Sequence, residues 1–123
     1  MNLPEAFQTN ISQILGEELP DFLAALDQSA PTSVRLNPKK KSALPALAIE
    51  ESVLWANEGR YLGNRPVFAE DPAFHAGAYG VQDASAMFLG YVLGQIVDRS
   101  RPVRVLDLCA SKGEQTTLIA SIL

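Results

Sequence analysis

The chain has little with which to hold a metal or a disulfide: one cysteine, Cys109, and one histidine, His75. A single cysteine excludes an internal disulfide framework and a cysteine-based zinc site. One histidine leaves a mixed His/Cys cluster too few ligands. No run of about 18 apolar residues occurs, so no membrane span is expected. The first twenty residues, MNLPEAFQTNISQILGEELP, carry acids and no basic n-region, which excludes a secretory signal. Basic excess is also lacking. The net charge is −4, so RNA contact would have to come from a local patch rather than from overall charge. These absences describe a soluble protein of a reducing, cytoplasmic compartment.

What is present suits a small folded domain. The hydrophobic fraction of 47% argues against disorder, and 123 residues suffice for one real core. Leu3, Phe7, Ile11, Ile14 and Leu15 recur at steps of three and four, which predicts an amino-terminal helix. Pro4 suits its first turn and Gly16 its end. A second short helix fits Pro20 to Asp27. Val34 and Leu36 alternate with Ser33 and Arg35 as in a strand, and Asn37-Pro38 then reads as a turn. Lys39, Lys40 and Lys41 form the one basic run. Short strands and turns are expected from Val53 to Phe68, with Asp71-Pro72 as a further break.

From Gln82 to Val97 the pattern is helical and apolar nearly all round, which predicts deep burial. Asp83 is the candidate N-cap. The tail, VRVLDLCASKGEQTTLIASIL, reads as a buried strand, a loop containing Gly113, and a helix. Such a loop can cradle a nucleotide-like cofactor against the unpaired N–H groups of the following helix. It is neither GxGxxG nor a P-loop, so spacing alone favours an ordinary strand–helix turn over a cofactor loop.

The residues then carry a resemblance. Val105 to Ala110, Gly113, Thr116 and Thr117 match in register the cofactor motif VLDLCAAPGGKTT of the NOL1/NOP2/Sun family of RNA cytosine-C5 methyltransferases. GAYGVQDASAMFL, Gly77 to Leu89, resembles the segment that precedes that family's catalytic sheet. PTSVRLNP, Pro31 to Pro38, resembles its Arg-x-Asn segment. The details look nearest to the bacterial ribosomal RNA members.

The resemblance implies an α/β fold: a small α+β amino-terminal domain over residues 1–70, then the first strand–helix unit of a Rossmann-like methyltransferase domain over 71–123. It implies S-adenosylmethionine as cofactor, with Asp107, Cys109, Ala110, Ser111, Lys112, Gly113, Glu114 and Gln115 around it. It implies ribosomal RNA as partner and Arg35 as a contact; Lys39, Lys40, Lys41, Arg60 and Arg65 are candidate phosphate contacts by charge alone, and the lysine run reads equally as a solvated loop. Gln82, Asp83 and Ser85 would support the active-site floor. No metal and no membrane partner are expected.

Two departures stand out. Glu114 occupies a family glycine position, adding bulk and negative charge, and Gln115 occupies the family's lysine position, so a weakened cofactor site is expected. The family's nucleophile and its partner lie in Pro-Cys and Thr-Cys pairs, and this sequence has neither. Cytosine C5 needs a thiolate added at C6 before it accepts a methyl group. Cys109 belongs to the cofactor loop and reads as a small hydrophobe. The expectation is therefore an amino-terminal fragment with no catalytic residue of its own, its first strand edge open to self-association. The rival readings are a non-catalytic RNA-binding or assembly module and a truncated product without function. His75 is expected to be structural. Trp55 and Tyr61 could stack bases, but suit a small core better.

Overall fold

A computed structural model describes residues 3–40 and 47–123. The chain forms two compact units, 1–30 and 31–123. In the first, α1 (Glu5–Leu15) ends at Gly16, whose φ of 53° suits glycine and whose N–H donates to the Ser12 carbonyl. A 3-10 turn leads into α2 (Leu19–Leu26), with Pro20 near its start. Both helices expected from the apolar spacing are present.

The second unit is built on a four-stranded antiparallel sheet. Its strands are β1 (Thr32–Leu36), β2 (Ile49–Ser52), β3 (Gly59–Leu62) and β4 (Tyr79–Val81), in the order β2-β3-β1-β4. Val34 on β1 faces Arg60 on one side and Val81 on the other. Successive side chains of a strand point to opposite faces, and β1 uses both. Val34 is fully buried with Leu62, Ala78 and Tyr79, and Leu36 packs beside them. Phe68, Phe74 and Tyr79 close this cluster with ring centroids 5.8–6.2 Å apart. Ser33 and Arg35 turn to the other face, where their side chains bond to Gln82.

Asp71-Pro72 starts a four-residue helix, α3 (Pro72–His75): the Asp71 carboxylate accepts from the Ala73 N–H at 2.8 Å. Then α4 (Ala84–Ile96) packs on β3 through Met87, which with Val53 and Ala84 makes a second buried cluster. Finally α5 (Glu114–Ile122) lies against α4 at Gly90. A side chain there would meet Ile122 Cδ1 at 2.8 Å and Leu118 Cδ1 at 3.0 Å, so glycine permits the close approach of the helices.

Three expectations need correction. Val103 to Leu108 form no strand: Leu106 and Leu108 are 81% and 85% exposed, and the segment pairs with none of the described strands. An apolar run becomes a strand only where a neighbouring backbone completes its ladder. The strand half of a Rossmann-like unit is thus not formed here, and the sheet is antiparallel rather than parallel. Secondly, α4 is not deeply buried. Only Ala84, Met87 and Gly90 are covered, while Phe88, Tyr91 and Ile96 are exposed. Thirdly, Asp83 occupies the N-cap position but its side chain makes no capping bond. The compact units divide after Ala30.

Candidate functional site

The three sequence motifs meet. Arg35 leaves β1 on the sheet face shared with α4 and α5, and its guanidinium is half-buried. Its Nε donates to Gln82 Oε1 at 2.8 Å, and its Nη2 donates to Thr117 Oγ1 at 2.9 Å. Nη1 reaches Ser121 Oγ at 3.5 Å. Burial pushes the Arg35 guanidinium below its ordinary pKa, and the negative charge of Glu58 pushes it back up. Gln82, 3% exposed, passes the contact on: its Nε2 donates to Gln115 Oε1 at 3.4 Å. Gln115 Nε2 then donates to the Ala86 carbonyl on α4 at 3.3 Å. Ser33 Oγ, donating to the Gln82 carbonyl at 2.7 Å, fixes the start of this chain.

Beyond that network lies the 107–113 loop. Asp107 organises it from one end: Oδ1 accepts from the Cys109 N–H at 3.2 Å and Oδ2 from the Thr116 hydroxyl at 2.7 Å. The backbone then turns twice through positive φ, at Ser111 (47°) and Gly113 (81°). The second suits glycine; the first is unusual for a residue with a Cβ. Gly113 N–H donates to the Ala110 carbonyl at 2.7 Å, and α5 begins with no side-chain cap. Cys109, Lys112 and Glu114 are exposed. The arrangement offers an uncapped helix N-terminus over a tight, Asp-braced turn, which can hold a polar or anionic ligand.

The basic run lies elsewhere. Lys39 and Lys40 are exposed beyond β1; the Lys39 N–H donates to Asn37 Oδ1 at 3.0 Å, and Lys40 Nζ donates to the Ala76 carbonyl. Lys41 lies outside the described residues. Asn37 fastens this turn by donating from Nδ2 to the Gly77 carbonyl at 2.9 Å. A cavity of about 420 Å³ opens here, lined by Arg35, Asn37, Lys39, Tyr79, Thr117 and Ser121 among others. The structure therefore brings Arg35 to α5, and Lys39 to the rim of the same cavity.

Several residues take the roles expected of them. His75 Nε2 lies 2.7 Å from the Ala69 carbonyl with its ring against Phe74, a structural position. Trp55 donates from Nε1 to the Ala84 carbonyl at 2.7 Å and, like Tyr61, packs on the Met87 cluster. Among the described residues no group of three His, Cys, Asp or Glu could hold a metal, and no helix is long and apolar enough to cross a membrane. Sequence reasoning missed the Gln82–Gln115 contact. Amides 33 residues apart leave no periodicity to read.

Comparison with known proteins decides the family. Residues 3–84 match the model of the N-terminal domain of 16S rRNA methyltransferase RsmF. The chain belongs to this family. It is also 30% identical over 131 residues to the "Ribosomal RNA small subunit methyltransferase F" of Escherichia coli O17:K52:H18, an alignment covering 96% of this chain and 27% of that protein. The Klebsiella pneumoniae protein of the same name is 30% identical over the same shares. The Serratia proteamaculans protein is 30% identical over 133 residues, or 98% of this chain. The chain spans about a quarter of the length of these relatives. The ribosomal RNA methyltransferase family read from the three motifs is borne out.

Proposed function

We propose that the chain forms one wall of the cofactor site, and part of the RNA approach, of an S-adenosylmethionine-dependent ribosomal RNA cytosine-C5 methyltransferase, and that it does not transfer a methyl group unaided. The observation that carries this reading is the joining of all three motifs in one network, from Arg35 through Gln82 to Gln115 and Thr117. The names of the relatives support ribosomal RNA as the substrate class, and a cytoplasmic setting follows from that substrate.

The residues present fit the cofactor as one wall only. Asp107 braces the loop, Gly113 lets a ligand approach the backbone, and the first N–H groups of α5 have no side-chain cap for an anionic group to displace. Cys109, Ala110, Ser111 and Lys112 would line the turn. Glu114, exposed at the helix start, opposes a carboxylate, and Gln115 is turned to α4. When bound, S-adenosylmethionine supplies the methyl group. Cys109 sits in the loop and would not serve as the C6 nucleophile, so methyl transfer would need a thiolate other than Cys109, the one cysteine of this sequence. In the whole protein, Val103 to Leu108 would form the first strand of a Rossmann-like sheet. Arg35, Lys39, Lys40 and Lys41 would meet RNA phosphate.

A second reading is favoured by Glu114 and Gln115 together: a module that binds ribosomal RNA or assists its assembly without catalysis. Incubation with labelled S-adenosylmethionine and unmodified ribosomal RNA tests the proposal. The chain should retain RNA on a filter and leave no label at cytosine C5. Label above a no-protein blank would overturn the non-catalytic assignment, and failure to retain RNA would overturn the RNA role.

A further inference from the structure

We infer that Arg35 is a positioning residue for the 109–113 loop: it anchors the first turns of α5 to the amino-terminal sheet, directly through Thr117 and by relay through Gln82 to Gln115. The inference rests on the reading of that loop as a cofactor wall.

The side chain is suited to this work. A guanidinium presents donors in a fixed planar fork, and Arg35 aims three of them at Gln82, Thr117 and Ser121. A lysine at the same place would donate from a single nitrogen and could not span all three partners. The Thr117 hydroxyl accepts from Arg35 while donating to the Glu114 carbonyl at 3.0 Å, so the pull of Arg35 reaches the first residue of α5. The second route is a one-way chain of donors. Arg35 donates to Gln82 Oε1, Gln82 Nε2 donates to Gln115 Oε1, and Gln115 Nε2 donates to the Ala86 carbonyl. Bonds aligned in this way polarise one another.

The same chain explains Gln115. A lysine there could donate to the Ala86 carbonyl but could not accept from Gln82, since an ammonium has no acceptor. Gln82 is buried, and its amide would lose a partner. Gln115 therefore both accepts from Gln82 and passes the relay on to Ala86, a pair of roles that a lysine could not fill.

Amide hydrogen exchange, followed by NMR on the 123-residue chain, tests the inference without cofactor or RNA. Its failure is thereby separable from failure of the cofactor reading. Arg35→Lys and Thr117→Val should each speed exchange at Thr117 and Leu118 about tenfold, the size of one lost charge-assisted hydrogen bond. Exchange in the β1–β3 ladder should be unchanged, and Thr117→Ser should restore the slow rates. Acceleration of the ladder and α5 in step would mean a merely structural arginine and would overturn the inference. Unchanged exchange in α5, or Thr117→Ser behaving as Thr117→Val, would overturn it as well. Should Arg35→Lys fail to fold, the two variants at Thr117, an exposed residue, still decide.

Discussion

The Tyr79 hydroxyl donates to the Asp71 carboxylate across 2.5 Å, joining the sheet to the cap of α3. That bond, helped by the Ala73 N–H, holds the Asp71 carboxyl below its usual range. Burial, reinforced by the Asp71 bond, pushes the Tyr79 phenol well above its own. Asp71 thus contributes stability that is present above the unfolded carboxylate value, about 4, and lost as pH falls below it. Tyr79 contributes stability that is present below the unfolded phenol value, about 10, and lost as pH rises above it. Urea denaturation midpoints against pH should fall at both ends. Tyr79→Phe should remove the alkaline fall and shrink the acid one; an unchanged alkaline limb would show that Tyr79 does not cause it.

Gly59 sits where β3 meets Val53 and Met87. A Cβ there would lie 2.7 Å from Val53 Cβ and 2.8 Å from Met87 Sδ. Gly59→Ala should therefore destabilise by about 1–3 kcal/mol, the ordinary cost of overpacking. Gly80→Ala, with nothing within 4 Å of the added carbon, is the control and should stay within about 0.5 kcal/mol. Equal effects at the two sites would contradict the packing described for the Met87 cluster.

Met87 and Leu106 make a sharper contrast. Met87 is 1% exposed, so Met87→Ala should cost about 2–5 kcal/mol. Leu106 belongs to the apolar run but is open to solvent, so Leu106→Ala should change stability by less than about 0.5 kcal/mol. Thermal denaturation of both variants checks this. A large loss at Leu106 would mean that the 103–108 segment is packed in solution after all, and a concentration-dependent loss would point to association through it.

The departures in the loop should separate. Glu114→Gly removes an exposed negative charge at the start of α5 and should tighten S-adenosylmethionine binding, up to about fivefold. Gln115→Lys also shifts charge favourably, but breaks the acceptor end of the Gln82 contact, so it should loosen α5 instead of adding to the gain. Calorimetric titration of the two single variants and the double variant measures this. Tighter binding by the Gln115→Lys single variant would show that Gln115 has no tie to the network.

Elements with a local cause were legible in the sequence. The two amino-terminal helices follow from apolar spacing and Gly16, β1 from alternation around Val34, and α4 from its apolar run. The expected strand at 103–108 failed because hydrophobicity records a preference for burial, not the presence of a partner; Leu106 has none among the described residues. β4 went unread because three residues, Tyr79 to Val81, give too short a pattern. The site was half legible. Its loop could be recognised by motif, but the tie between Arg35 and Thr117 joins residues 82 apart and has no local signature.

The central claim, that residues 107–117 form one wall of a cofactor site, is tested most directly by following the backbone amide resonances of the chain during titration with S-adenosylmethionine. The account predicts weak, saturable shifts confined to Asp107 through Thr117, enlarged in Glu114→Gly. No shift at saturating cofactor in either protein, or shifts centred elsewhere in the sheet, would contradict it.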